Sequence, residues 1–263
     1  MKELESLCKS AIDIIKEAGS YIRNERLRFD QKNIEFKSSR DMVSYVDKNA
    51  EKMLVEKLSA LLPQAGFITE EKTTDKVGAI NWIIDPLDGT TNFISGFPLY
   101  SSTLALEKNN EILLGVTYDI CADKCYYAWK NGGAYCNGNK ISVKKNNQLE
   151  KALVIVGTPY SMDNIGTAYF NFIRHLYDHS LGIRVTGTAA IDMAYVAAGY
   201  NDAFILFNQK SWDIAAGYII MKEAGGYAST FSGKEDIHCP EIVASGNLQE
   251  ELLALIKKFE LIR

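Results

Sequence analysis

The chain has 263 residues, 47% of them hydrophobic and 24% charged, which is enough apolar material for one large α/β unit or two intimately packed subdomains. A net charge of −4 and the lack of a basic tract argue against a nucleic-acid backbone or an anionic membrane as the main partner. No run of 18 apolar residues occurs, and the N-terminal segment is amphipathic with interspersed acids rather than a signal sequence, so a cytoplasmic protein is expected.

In chain order, Leu4, Leu7, Cys8, Ala11, Ile15, Ala18 and Ile22 recur at helical spacing and predict a helix over residues 2–24. A second helix is expected from about Asp47, which stands at the N-cap position ahead of the stripe Ala50, Met53, Leu54, Leu58 and Leu61. Short apolar runs at 66–69, 82–84, 99–106, 112–118 and 125–129 then read as strands, and their short polar connections suggest an antiparallel sheet. Gly132-Gly133 and Asn137-Gly138 mark tight turns.

From about residue 150 the rhythm becomes strand–helix alternation. Strands are expected at 153–157, 183–185, 203–207 and 242–244, and helices at 163–177, 189–198, 214–224 and 248–259. The polar stretch 144–150 is the best boundary, dividing an N-terminal α+β subdomain, 1–146, from a C-terminal α/β subdomain, 147–263.

The most informative segment is Trp82-Ile83-Ile84-Asp85-Pro86-Leu87-Asp88-Gly89-Thr90-Thr91-Asn92-Phe93. An apolar strand delivers Asp85 to its carboxyl end, and Pro86, with no N–H for a ladder, is expected to turn the chain out of the sheet. Asp88 follows three residues on. Gly89 permits close backbone approach, and the N–H groups of Gly89, Thr90 and Thr91 can form an anion-binding nest opening a helix. Two carboxylates beside a phosphate cradle repel the substrate unless divalent cations lie between them, and magnesium prefers such oxygen ligands. The competing structural role is an Asx turn with Asp88 as a helix cap. Glu70 and Glu71 also stand at a strand end, and Asp213 opens an apolar helix, where capping is again the alternative.

The string DPLDGTTNF resembles the signature of the inositol monophosphatase family, a group of lithium-sensitive phosphatases. The likeness extends to Lys37-Ser38-Ser39-Arg40-Asp41-Met42-Val43-Ser44-Tyr45-Val46-Asp47, the acid pair Glu70-Glu71, the loop Gly187-Thr188-Ala189-Ala190 and Trp212-Asp213-Ile214-Ala215-Ala216-Gly217. The resemblance implies a layered α-β-α-β-α sandwich, a homodimer, and a magnesium-dependent phosphomonoesterase acting on inositol monophosphate or a similar polyol phosphate. It also implies two or three Mg2+ ions: one on Glu70, Asp85 and the Leu87 carbonyl, a second on Asp85, Asp88 and Asp213, and a weaker third leaning on Glu70. Gly89 and Thr90 N–H groups would hold the phosphate. Thr90, hydrogen-bonded to Asp47, would orient the attacking water together with Glu70. Asp88, Thr91, Gly187, Thr188, Ala189 and Asp213 would adjoin the substrate.

One departure bears on the ester. Inositol-specific members carry a hydroxyl-binding glutamate seven residues before the second-signature aspartate, and here that position is Leu206, with Asn208 and Gln209 close by. A site built on hydroxyl hydrogen bonds loses discrimination without them. The same chemistry on 3′-phosphoadenosine 5′-phosphate, histidinol phosphate or a sugar phosphate therefore stays open, as does a regulatory or scaffolding protein on the same fold. His175 and His179, four apart, read as a solvated helix face without a third zinc ligand. The five cysteines include no CxxC pair and read as reduced thiols. Ser232-Gly233-Lys234 lacks the first glycine and the hydroxyl of a P-loop.

Overall fold

The computed structural model describes residues 2–29, 34–36, 42–158 and 165–262, with the backbone alone for 34–36, 42 and 43. Helix α1 spans Lys2–Arg26, and a two-stranded ribbon of β1 (Ile34–Phe36) and β2 (Met42–Ser44) leads into α2 (Tyr45–Leu61). The first sheet contains β3 (Gly66–Thr69), β4 (Ile80–Asp88), β5 (Ser101–Lys108), β6 (Glu111–Asp119), β7 (Lys124–Trp129), β8 (Gly133–Cys136) and β9 (Asn139–Lys140), in that spatial order. The short helix α3 (Thr90–Ser95) links β4 to β5. Only β3 and β4 run parallel; the other pairs are antiparallel, as the short turns predict.

The second sheet is mixed. It is built from β10 (Leu153–Val156), β11 (Gly182–Arg184), β12 (Ala203–Phe207), β13 (Tyr227–Ser229) and β14 (Glu241–Ser245), ordered β11-β10-β12-β14-β13. Helices α4 (Gly166–His179), α5 (Ala189–Ala197), α6 (Ser211–Glu223) and α7 (Gln249–Lys258) alternate with these strands.

Three apolar clusters hold five layers together, the second of them enclosing α5 and α6 between the two sheets. Cys8, Ile15 and Ile22 of α1 and Leu54 and Leu58 of α2 pack on Trp82, Ile84, Leu104 and Val116 of the first sheet. Ile83 and Ala105, pointing the other way, meet Met193 of α5, Ile214 and Ile219 of α6, and Phe204 of the second sheet. Val154, Ile205 and Val243 on its far face meet Phe172 of α4 and Ile256 of α7. Alternate residues of one strand thus enter different clusters, which is why the central strands read as unbroken apolar runs: both faces are covered. The α-β-α-β-α sandwich follows. Gly115 on β6 lets the middle layer approach closely, since a Cβ there would stand 2.7 Å from the Ala216 Cα of α6.

Local details differ from the sequence expectations. Asp47 is not the N-cap of α2: Ser44 is, its hydroxyl accepting the Val46 N–H at 3.1 Å, while Asp47 at N3 accepts the Ser44 N–H at 2.9 Å, a capping box. Pro86 does not end its strand. It lies in a bulge where β4 spends three steps, Asp85 to Asp88, against two on β5, Thr103 to Ser101, so its missing N–H leaves no ladder bond unmade. The segment around Gly133 and Gly138 forms β8 and β9 as well as turns. Of the family-like stretch 37–47, residues 37–41 lie outside the described residues, as do residues 163 and 164 at the start of the helix expected over 163–177.

Candidate active site

The bulge explains how one motif aims two acids at one place. In a regular strand, residues three apart face opposite sides. The extra residue resets the alternation, and Asp85 and Asp88 both line a cavity of about 530 Å³, together with Glu70 at the end of β3 and Asp213 at the start of α6. Leu87, Gly89, Thr90, Thr91, Gly187, Thr188 and Ala189 line the same cavity.

Each acid is held by specific donors. Asp85 is 2% exposed, and its Oδ1 accepts the Leu87 N–H at 2.9 Å, so the Asx turn that was the competing role for Asp88 belongs to Asp85. Asp88 does not cap the helix that follows it; Gly89, in the left-handed region at φ 88°, is the N-cap of α3. Asp88 instead reaches across 100 residues of sequence to the start of α5, where its Oδ2 takes the Thr188 hydroxyl and, at 2.9 Å, the Ala190 N–H. Asp213 is the third residue of α6 rather than its cap, and its Oδ2 accepts the Lys210 N–H at 2.7 Å.

Electrostatics set the character of this group. Burial first, and then the charges of Glu70, Asp88 and Asp213, hold the Asp85 carboxyl well above the usual carboxylate range. Burial pushes Asp88 up to about 6 against the opposing pull of its hydrogen bonds. Asp213 is raised by burial and by Asp88 and Glu70. Such a cluster of oxygen donors, disfavoured when fully ionised, suits a hard divalent cation better than a softer metal. Among the described residues no three His, Cys, Asp or Glu side chains form a closed coordinating group, Asp88 and Asp213 each being turned toward a helix N-terminus. The fit lies in donor chemistry and a shared cavity.

Beside the acids sits a hydroxyl relay. Thr90 Oγ1 lies 3.0 Å from Asp47 Oδ1 and 3.0 Å from the Leu87 carbonyl oxygen. Its single hydrogen serves one of these acceptors, and its remaining lone pair can take a hydrogen from a water. Asp47 is 1% exposed and raised by burial, with Oδ2 held by the Ser44 hydroxyl at 2.7 Å.

Sequence reasoning missed three further residues. Asn92 donates to the carbonyls of Leu99 and Thr186, both at 2.8 Å, stitching α3 to the loop before α5. Asp192, 2% exposed, lines the cavity and accepts the Thr186 hydroxyl at 2.5 Å; an acid inside the apolar run Ala189–Ala197 was its only sequence signal. Glu51 is fully buried on α2 behind the Glu70 loop, with no signal beyond its place in an amphipathic helix. Leu206 does line the cavity, its side chain lying over Gly157, with Phe204 and Trp212 also at the wall.

A five-layer sandwich with acids gathered at strand and helix ends is the architecture of the sugar-phosphatase class. The sequence model of the inositol monophosphatase family matches residues 3–261. The fructose-1,6-bisphosphatase/inositol-1-monophosphatase of Aquifex aeolicus is 36% identical over 245 residues, 92% of each chain. The Nus factor SuhB of Escherichia coli is 33% identical over 241 residues, 90% of each chain. A solved structure described as an IMPase/NADP phosphatase complexed with Mg2+ and phosphate superposes with a TM-score of 0.84 at 27% identity, covering 97% of this chain and 96% of that one. The chain belongs to the inositol monophosphatase family, and it is a phosphoric monoester hydrolase.

Proposed function

We propose that this chain is a magnesium-dependent phosphatase for the monophosphate of inositol or a similar polyol, with Glu70, Asp85, Asp88, Asp213 and the Leu87 carbonyl as the cation ligands. The observation that carries the reading is the opening of these residues and of Thr90, with Asp47 behind it at 3.0 Å, into one cavity. The magnesium-bound relative supports the choice of metal. When bound, two or three magnesium ions supply acidity to a water and positive charge to the phosphoryl oxygens and the leaving alkoxide. The backbone N–H groups of Gly89 and Thr90 hold phosphoryl oxygens, and Thr91 flanks them. Thr90 Oγ1, its hydrogen committed to Asp47, accepts a hydrogen from the attacking water, which Glu70 helps orient. Gly187, Thr188 and Ala189 border the ester and fix Asp88. The boundary near residue 146 then separates the half that bears Glu70, Asp85 and Asp88 from the half that adds Asp213 and closes the cavity. A homodimer is part of the same proposal.

Phosphate release from a panel of esters, with magnesium and with chelator, tests it. Release of phosphate from at least one polyol or sugar monophosphate, lost on chelation, is expected. Release that persists in chelator would remove the metal from the mechanism. No release from any ester would favour a regulatory role, the reading that the likeness to a Nus factor keeps in play.

Leu206 sets the expected preference. An apolar side chain at that wall leaves one ester hydroxyl without an acceptor, so esters with an apolar or planar leaving group compete with inositol phosphate. Leu206→Glu supplies a charged acceptor worth roughly 1.5–3 kcal/mol per hydroxyl bond. It should raise kcat/KM for inositol 1-phosphate by about ten-fold or more with little change for 3′-phosphoadenosine 5′-phosphate. An equal effect on both esters would show that position 206 does not read the hydroxyl.

A further inference from the structure

We infer that Glu51 is a positioning residue for the cation site, acting through the loop that carries Glu70. Glu51 lies one turn after Asp47 on α2 and is 0% exposed. Its Oε2 accepts the Glu71 N–H at 2.7 Å, and its Oε1 accepts both the Thr73 N–H and the Thr73 hydroxyl at 2.8 Å. Between those two amides stands Lys72 in the left-handed region, φ 54°, a conformation a lysine rarely adopts. A left-handed residue turns its flanking N–H groups toward one point, and a carboxylate set there holds the turn against its tendency to relax.

The other end of the same turn is docked on the sheet. The Glu70 N–H donates to the Ile84 carbonyl at 3.2 Å, one residue before Asp85, and the Glu70 carboxyl meets that of Asp85. The loop that carries Glu70 is therefore held by β4 at the Glu70 N–H and by Glu51 at Glu71 and Thr73. Asp47, four residues earlier on the helix, holds Thr90. One face of α2 thus fixes two separate parts of the site, the hydroxyl beside the water and the carboxylate beside the cation. The consequence for function is a division of labour. Asp47 governs the chemical step, while Glu51 governs how well the Glu70–Asp85 pair is arranged to take a cation.

Glu51→Gln is the sharp variant, because its shape is kept while one oxygen becomes an NH2 group. All three partners are donors, so a glutamine must set a donor against a donor on at least one side. The inference rests on the cation site proposed above, and the test reads cation binding directly. Calorimetric titration with Mn2+ of wild type, Glu51→Gln and Thr73→Val is compared with the magnesium dependence of phosphate release. Outer-shell partners of metal ligands typically contribute about 10- to 100-fold in affinity, so Glu51→Gln should bind Mn2+ at least about ten-fold more weakly. Its kcat at saturating magnesium should stay within about three-fold of wild type. Thr73→Val, which removes one of the three bonds and keeps both amides, should weaken binding by about two- to five-fold on the same scale. It decides the question alone if Glu51→Gln does not fold. An unchanged Mn2+ dissociation constant in folded variants, with only a lower melting temperature, would reduce Glu51 to a structural residue and overturn the inference. If wild type itself bound no divalent cation, the proposed function would fall and this inference with it, a result distinct from equal binding by wild type and variant.

Discussion

Asp85→Asn is expected to lower phosphate release at saturating magnesium by about a thousand-fold or more, and at the same time to raise the melting temperature of the metal-free protein. Both halves follow from the position of one carboxyl. Asp85 is 2% exposed, and its ionisation is opposed first by burial and then by Glu70, Asp88 and Asp213. Asparagine keeps the Oδ1 that accepts the Leu87 N–H, so the turn into the bulge survives. What it loses is a carboxyl whose ionisation nothing in the metal-free protein rewards, and its NH2 group can donate to Glu70. Removing one such buried carboxyl, which folding must otherwise hold protonated, should stabilise the metal-free chain by roughly 1–3 kcal/mol near neutral pH, or about 2–10 °C in a chain of this size. The same carboxylate is one of those proposed to hold the cations, so its loss would take positive charge away from the phosphoryl oxygens. Calorimetric melting in chelator and phosphate release in magnesium measure the two halves separately. Activity above a tenth of wild type would reject Asp85 as a cation ligand, and a lower melting temperature in chelator would reject the like-charge argument.

Much of this was legible in the residues, and the limits have physical causes. Strands covered on both faces leave apolar runs, so 203–207 is read off the sequence to the residue, and β3 likewise. The edge strand β13 is only Tyr227-Ala228-Ser229, with Tyr227 exposed, and is too short and too polar to leave such a run. The acids were visible because a carboxylate at the end of an apolar strand has few structural reasons to be there. Their partners were not. Asp88 is held by Thr188 and Ala190, a contact no local pattern encodes, and the roles of Asp47 and Ser44 in the capping box differ by three residues from a simple cap. Pro86 was read as a strand terminator because its missing N–H was weighed against a regular ladder, whereas a bulge asks for no hydrogen bond at that position. Glu51 stands three residues before Leu54 and seven before Leu58, so helical spacing puts this acid on the buried face of α2, but its partners in the 71–73 turn have no local signal.

The pH dependence of stability should run opposite to ordinary acid denaturation when the cation is removed. Asp85, Asp88, Asp213 and Asp192 all have carboxyls raised by burial above their unfolded values near 4. Between the unfolded value and the raised folded value the native state holds the extra protons. Stability then falls as pH rises, by about 1.4 kcal/mol per pH unit for each excess proton. Asp88, at about 6, gives up its proton in the middle of the accessible range, and the others release theirs at pH values above the ordinary carboxylate range. In chelator, the melting temperature should therefore decrease by at least about 5 °C from pH 5 to pH 8. Cations compete with those protons for the same oxygens, so magnesium should raise the melting temperature strongly at pH 8 and weakly at pH 5. In Asp85→Asn the downward slope in chelator should flatten, because one titrating group and its repulsion of the neighbours are gone. A metal-free protein whose melting temperature stays level or climbs between pH 5 and pH 8 would mean that the cluster ionises without strain, and that like-charge crowding does not prepare it for a cation.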